Sequence, residues 1–137
     1  MNKTNAVFII DDDPIYQFSF GAILKLINPE VQTTVFSNGE EALDHCKSVI
    51  ATGKACPKLI FLDLNMPVMD GWNFLDELIL FNEDVLHKTK VYIVSSSVHE
   101  EDTQKAKNYP LIQDYLVKPV KREVLQSILE ETLRKAS

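Results

Sequence analysis

The chain has 137 residues, 45% hydrophobic and 25% charged, which is enough for one domain with a core of its own. Its formal net charge of −6 argues against a broad nucleic-acid surface, which needs a basic excess. Its two cysteines, Cys46 and Cys56, match no zinc or redox spacing, no apolar run approaches membrane-spanning length, and the N-terminus lacks a signal peptide's architecture, so the expectation is a cytoplasmic protein with reduced thiols and no membrane partner.

Short β-branched runs alternate with longer helical patterns. The first strand is expected at AVFII (6–10), followed by Asp11, Asp12 and Asp13. A helix then runs through DPIYQFSFGAILKLI, with Pro14 at its start, where a missing N–H costs nothing. VQTTVF (31–36) is the second strand, and SNGEEALDHCKSVIATG the second helix, with a start signal at Ser37 and Asn38 and a stop at Gly53. KLIFL (58–62) is the third strand and ends on Asp63. DGWNFLDELILF is the third helix, and the polar FNEDVLHKTK reads as an extended surface connection. KVYIVS (90–95) and DYLV (114–117) are the fourth and fifth strands. The last helix, KREVLQSILEETLRKAS, places Val124, Leu125, Ile128, Leu129 and Leu133 on one face for packing on a sheet.

The first, third and fourth strands are almost unbroken apolar runs, as parallel strands covered on both faces should be. Alternating strands and helices predict an α/β fold: a doubly wound, flavodoxin-like parallel sheet of five strands with five helices, strand order 2-1-3-4-5. No repeat, low-complexity segment or linker divides it, so residues 1–137 are expected to form a single domain. Right-handed crossovers put all strand C-termini on one edge, where ligands bind in such sheets.

That edge collects chemistry. The first strand ends in three aspartates, the third in Asp63, the fourth in Ser95, Ser96 and Ser97, and the fifth is followed by Lys118 and Pro119. At about 4 Å and an effective dielectric of about 20, each like-charge pair costs about 4 kcal/mol. A divalent cation removes that penalty, and clustered oxygen ligands with open water positions suit Mg²⁺. An aspartate beside Mg²⁺, a lysine and a hydroxyl is set up as a nucleophile toward phosphorus, giving an aspartyl phosphate. Each piece alone has a plainer use: an acidic run as a solvated turn or helix cap, a lone Asp as a turn former, serines as loop.

Together, VFIIDDDP, LIFLDLNMPVMDGWNFL, VYIVSSS and DYLVKP resemble the response-regulator receiver domain of two-component signalling, over about residues 5 to 135. The resemblance implies a stand-alone, chemotaxis-regulator-like signalling domain rather than an enzyme. It implies Asp63 as phosphoacceptor, with Asp11, Asp12, Asp63 and the backbone carbonyl of Asn65 as Mg²⁺ ligands, Asp12 more directly than Asp11. Ser95 resembles the hydroxyl that reaches the phosphoryl group, Tyr115 the aromatic switch residue and Lys118 the lysine that pairs with phosphoryl oxygens. Pro119 resembles a proline that follows a cis peptide bond. The serine triplet leaves Ser96 as the alternative to Ser95, which directly ends the apolar run.

The implied partners are a sensor histidine kinase or histidine phosphotransfer protein as donor and an unidentified downstream protein, with no direct nucleic-acid contact. A phosphorylation-dependent homodimer is compatible with the same pattern. On phosphorylation, the face of the fourth helix, fifth strand and fifth helix is expected to change. Two rivals stand beside this: a haloacid-dehalogenase-like phosphatase using Asp11 and Asp13 as a D-x-D pair, and a receiver-like interaction module that is never phosphorylated. His45, His87 and His99 have no partner at metal-ligand spacing, and Trp72, Met66 and Met69 read as packing residues.

Overall fold

A computed structural model describes residues 6–52, 57–81, 88–96 and 98–133. Gly53, Cys56, His87, Ser97 and most of the connection before the fourth strand lie outside the described residues. The elements run β1 (Ala6–Ile10), α1 (Pro14–Ile27), β2 (Gln32–Phe36), α2 (Gly39–Ala51), β3 (Leu59–Leu62), α3 (Gly71–Phe81), β4 (Lys90–Ser95), α4 (Glu100–Ala106), β5 (Ile112–Val117) and α5 (Arg122–Leu133). The five strands are all parallel, in the order β2-β1-β3-β4-β5.

Alternation along each strand splits the core in two. Phe8, Ile10, Ile60, Leu62, Val91 and Ile93 face a layer of α2, α3 and α4, packed against Leu43, Trp72, Phe74, Leu75 and Leu78. Val7, Ile9, Leu59, Phe61, Tyr92 and Val94 face α1 and α5, packed against Phe20, Leu24, Leu125, Ile128 and Leu129. Covering both faces is why the three central strands read as continuous apolar runs. The edge strands β2 and β5 carry exposed polar residues such as Gln32, Gln113 and Asp114.

Helix starts follow local chemistry. Asp13 caps α1, accepting from the N–H groups of Ile15 and Tyr16 at 3.0 and 3.3 Å, and Pro14 takes the first helical position. Asn38 caps α2 by accepting from Glu41 N–H at 2.9 Å, while the Glu41 carboxylate accepts from Ser37 N–H at 3.1 Å, a variant of the capping box.

Some boundaries differ from expectation. β2 begins at Gln32, because Val31 is a fully buried residue in the turn before it. β3 begins at Leu59. β5 begins two residues early, at Ile112, with a register irregularity opposite Val91 and Tyr92; the polar pair Gln113–Asp114 breaks its apolar run. Val124 does not share the buried face of α5: it is 37% exposed, whereas Leu125, Ile128, Leu129 and Leu133 are buried. The pattern gave no explicit range for α4, since only Ala106 of its seven residues is buried.

Candidate functional site

Backbone hydrogen bonds carry the sheet one residue past its strands and fix the side chains there. Asp11 N–H donates to Phe36 O at 3.0 Å, Asp63 N–H to Ile10 O at 2.9 Å, and Lys118 N–H to Ser95 O at 2.8 Å. These bonds lock the ends of β1, β3 and β5 against their neighbours. Asp11, Asp12 and Asp63 each present a carboxylate oxygen, all within 4.8 Å of one another. Asp11 and Asp63 are buried, at 2% and 7% exposure, and Asp12 is exposed. Lys118 Nζ sits 2.7 Å from Asp11 Oδ2.

This concentration of charge shows in Asp63. Burial, then the neighbouring Asp11 carboxylate, pushes its pKa up from 3.8 to about 6; Lys118 and the Asn65 N–H, 3.3 Å from Asp63 Oδ1, pull the other way. The carboxylate is thus poised to lose its proton near neutrality. Three hard carboxylate oxygens with one open, exposed side match the donor set of a Mg²⁺ site. The backbone of Asn65 belongs to the same loop, and its residue is exposed.

Asp13 is not part of the cluster. Its carboxylate caps α1, and its N–H donates to Asp11 Oδ1 at 2.9 Å, orienting that acid. Ser95 is buried and Ser96 exposed. The hydroxyls of Ser95 and Tyr115 are hydrogen-bonded; burial raises the Tyr115 phenol above its ordinary range and this bond opposes the rise. The half-buried Tyr115 ring packs on the α2–α3–α4 core. The Lys118–Pro119 peptide is cis.

The loop from β3 to α3 is tightly held. A Cβ added at Gly71 would lie 2.7 Å from the Asp63 carbonyl oxygen and 3.1 Å from Leu64 Cα, both backbone atoms that cannot yield separately. Gly71→Ala is expected to cost about 1–3 kcal/mol by overpacking. Urea denaturation checks this; a wild-type midpoint would contradict it. Val68, 74% exposed, holds φ at 70°, where a β-branched side chain is strained by about 1–2 kcal/mol. Val68→Gly should raise stability by about 1 kcal/mol, read as a higher urea midpoint; an unchanged or lower midpoint would refute the strain.

Trp72 is a packing residue, as expected. Its Nε1–H donates to Asp102 Oδ1 at 3.3 Å, its ring lies 5.2 Å from Tyr109, and Lys105 Nζ sits 4.9 Å above it. Met66 and Met69 pack on the core beside the loop. His45 is exposed and lies edgewise on Phe8 and tilted against Phe36; Cys46 is buried. Two residues beside the site were not singled out from sequence. Gln17 Nε2–H donates to the Asp11 carbonyl, and the Tyr16 ring lies under Lys118 Nζ. Both sit within the amphipathic pattern of α1, which carries no signal of a role at the site.

The family model described as the response regulator receiver domain matches residues 7–130. The chain belongs to this family. It is a signalling domain of a two-component response regulator rather than a dedicated enzyme. A two-component response regulator from Cytophaga hutchinsonii is similar at 26% identity and a TM-score of 0.85, covering 98% of this chain and 100% of that one. The nitrate/nitrite response regulator NarL of Escherichia coli is 30% identical over 91% of this receiver and 53% of its own length. The receiver domain of the sensor histidine kinase PA1611 from Pseudomonas aeruginosa, solved with a magnesium ion coordinated in its active-site cleft, shares the fold at 20% identity and a TM-score of 0.76, covering 97% of this chain and 100% of that chain. The chain spans about half the length of the curated relatives it matches. Among the described residues, no helix is long and apolar enough to cross a membrane.

Proposed function

We propose that this receiver accepts a phosphoryl group on Asp63 from a phosphohistidine donor, in a Mg²⁺-dependent reaction, and thereby switches a partner-binding face. The observation that carries the proposal is the convergence of Asp11, Asp12 and Asp63 within 4.8 Å, with Lys118 Nζ 2.7 Å from Asp11. An Asp63 oxygen attacks phosphorus in line; the bond from phosphorus to the donor nitrogen breaks, and its electron pair leaves with the imidazole. Asp11, Asp12, Asp63 and the Asn65 carbonyl would hold Mg²⁺, which when bound neutralises charge on the transferred group. Lys118 binds phosphoryl oxygens from the other side, and Ser95 donates its hydroxyl.

The Ser95–Tyr115 hydrogen bond supplies the two-state element. A phosphoryl oxygen competes for the Ser95 hydroxyl, and Tyr115 repacks when it is taken. Phosphorylation therefore favours one of two arrangements of the α4–β5–α5 face. The donor would be a sensor histidine kinase or a histidine phosphotransfer protein in the cytoplasm, and the reader of the face a downstream protein or a second phosphorylated copy. The phosphatase rival needs Asp13 free beside Asp11 as a general acid, but Asp13 is committed to the α1 cap.

Incubation with acetyl phosphate and Mg²⁺ should label the protein with a base-labile, hydroxylamine-sensitive phosphoryl group. Chelation by EDTA, or Asp12→Ala, should cut labelling roughly a hundredfold. Equal labelling without Mg²⁺ would remove the metal from the mechanism.

A further inference from the structure

Among the described residues, the Lys118 ammonium has two partners. Its Nζ pairs with Asp11 at 2.7 Å and lies 4.1 Å from the centroid of the Tyr16 ring. An ammonium over an aromatic face is attracted by the ring quadrupole, more strongly where water is scarce, and Lys118 is only 18% exposed. The ring is held still: Tyr16 stacks on Phe20 at 5.3 Å, and Phe20, 3% exposed, lies edge-on to Phe61 at 4.8 Å. Among the described residues, the buried Tyr16 phenol oxygen has no hydrogen-bond partner. Burial, then Asp11 and Asp63, raises the phenol above its ordinary range, so the ring stays neutral.

We propose that Tyr16 is a positioning residue for Lys118, its ring face holding the ammonium in the site while that charge exchanges Asp11 for a phosphoryl group on Asp63. The inference rests on the assignment of Asp63 as acceptor. A phosphoryl group on Asp63 and a metal at Asp11 would each compete with the Lys118–Asp11 pair. The four-carbon lysine stem can then swing into solvent. The Tyr16 ring is a partner that neither metal nor phosphate consumes. The hydroxyl has no part in this, so a phenyl ring should serve as well.

The test compares wild type, Tyr16→Phe, Tyr16→Leu and Tyr16→Met, the last keeping apolar volume should the leucine variant fail to fold. Two readouts are taken: the acetyl phosphate labelling rate at saturating Mg²⁺, and the proton shifts of the Lys118 Cε methylene. Tyr16→Phe should keep the wild-type rate and the upfield ring-current shift. Tyr16→Leu and Tyr16→Met should label roughly three- to tenfold more slowly and lose the shift. A Tyr16→Phe variant as slow as Tyr16→Met would assign the role to the hydroxyl and overturn the proposal. Wild-type rates in the ringless variants, or Lys118 protons without an upfield shift in wild type, would overturn it too. A wild-type protein that takes up no phosphoryl group would instead refute Asp63 as acceptor, and the methylene shifts would still judge the Tyr16–Lys118 contact.

Discussion

Asp63→Asn should abolish phosphorylation and, in metal-free buffer above pH 7, make the protein more stable by about 1–3 kcal/mol. The first effect follows from losing the nucleophile, because an amide oxygen cannot form the acyl phosphate. The second follows from the carboxylate's surroundings. Its pKa is about 6 in the fold against 3.8 ordinarily. Between those values the folded chain keeps a proton that the unfolded chain has released. Stability therefore falls as pH rises through that window and stays lowered above it, by at most about 3 kcal/mol at 1.4 kcal/mol per pH unit. Asn removes the charge and keeps an oxygen to accept from Asn65 N–H. Urea melts at pH 4.5 and 8 measure the difference, which should be about a third as large at the lower pH. Mg²⁺ should narrow the gap at pH 8, because it binds the wild-type fold and not the unfolded chain. A variant less stable than wild type at pH 8 would mean that Asp63 is better compensated than its neighbours allow.

Lys118→Met is expected to slow labelling by roughly a hundredfold or more, since it removes the cation facing the charge that builds on the transferred group. It also leaves Asp11 buried beside Asp63 without its ion-pair partner. Methionine keeps the stem's packing, so the stability loss of about 3 kcal/mol is chiefly electrostatic. The unscreened carboxylates then push the pKa of Asp63 further up. The loss should accordingly be greatest at pH 8, fade toward pH 4.5 as Asp63 protonates, and be partly restored by Mg²⁺. A loss independent of pH and Mg²⁺ would show that Lys118 matters as packing only.

The fold was legible because burial imposes itself on sequence. β1, β3 and β4 are covered on both faces and could not be written without unbroken apolar runs. The candidate site is legible for a related reason: topology sends the C-terminal ends of β1, β3, β4 and β5 to one edge, and Asp11, Asp63, Ser95 and Lys118 stand at those ends. What escaped was set by less periodic forces. α4 rests on one buried alanine and three acids in its first turn, a weak pattern beside the amphipathic stripe of α2. The start of β5 was hidden by Gln113 and Asp114, which an edge strand tolerates. The division of labour within DDD depends on helix capping: Asp13 was an acid like the others until its oxygen was seen to accept from Ile15 and Tyr16. Tyr16 carries no sign of a role in the sequence, because a cation–π contact between residues far apart in the chain leaves no spacing to read.

The central claim is that the phosphoryl group goes to Asp63. Mass spectrometry of the protein after acetyl phosphate and Mg²⁺ treatment, with borohydride trapping of the acyl phosphate, tests it most directly. The account predicts one phosphoryl group per chain and a reduced residue at position 63 alone. Trapping at Asp11, Asp12 or another residue, or undiminished labelling of Asp63→Asn, would contradict it.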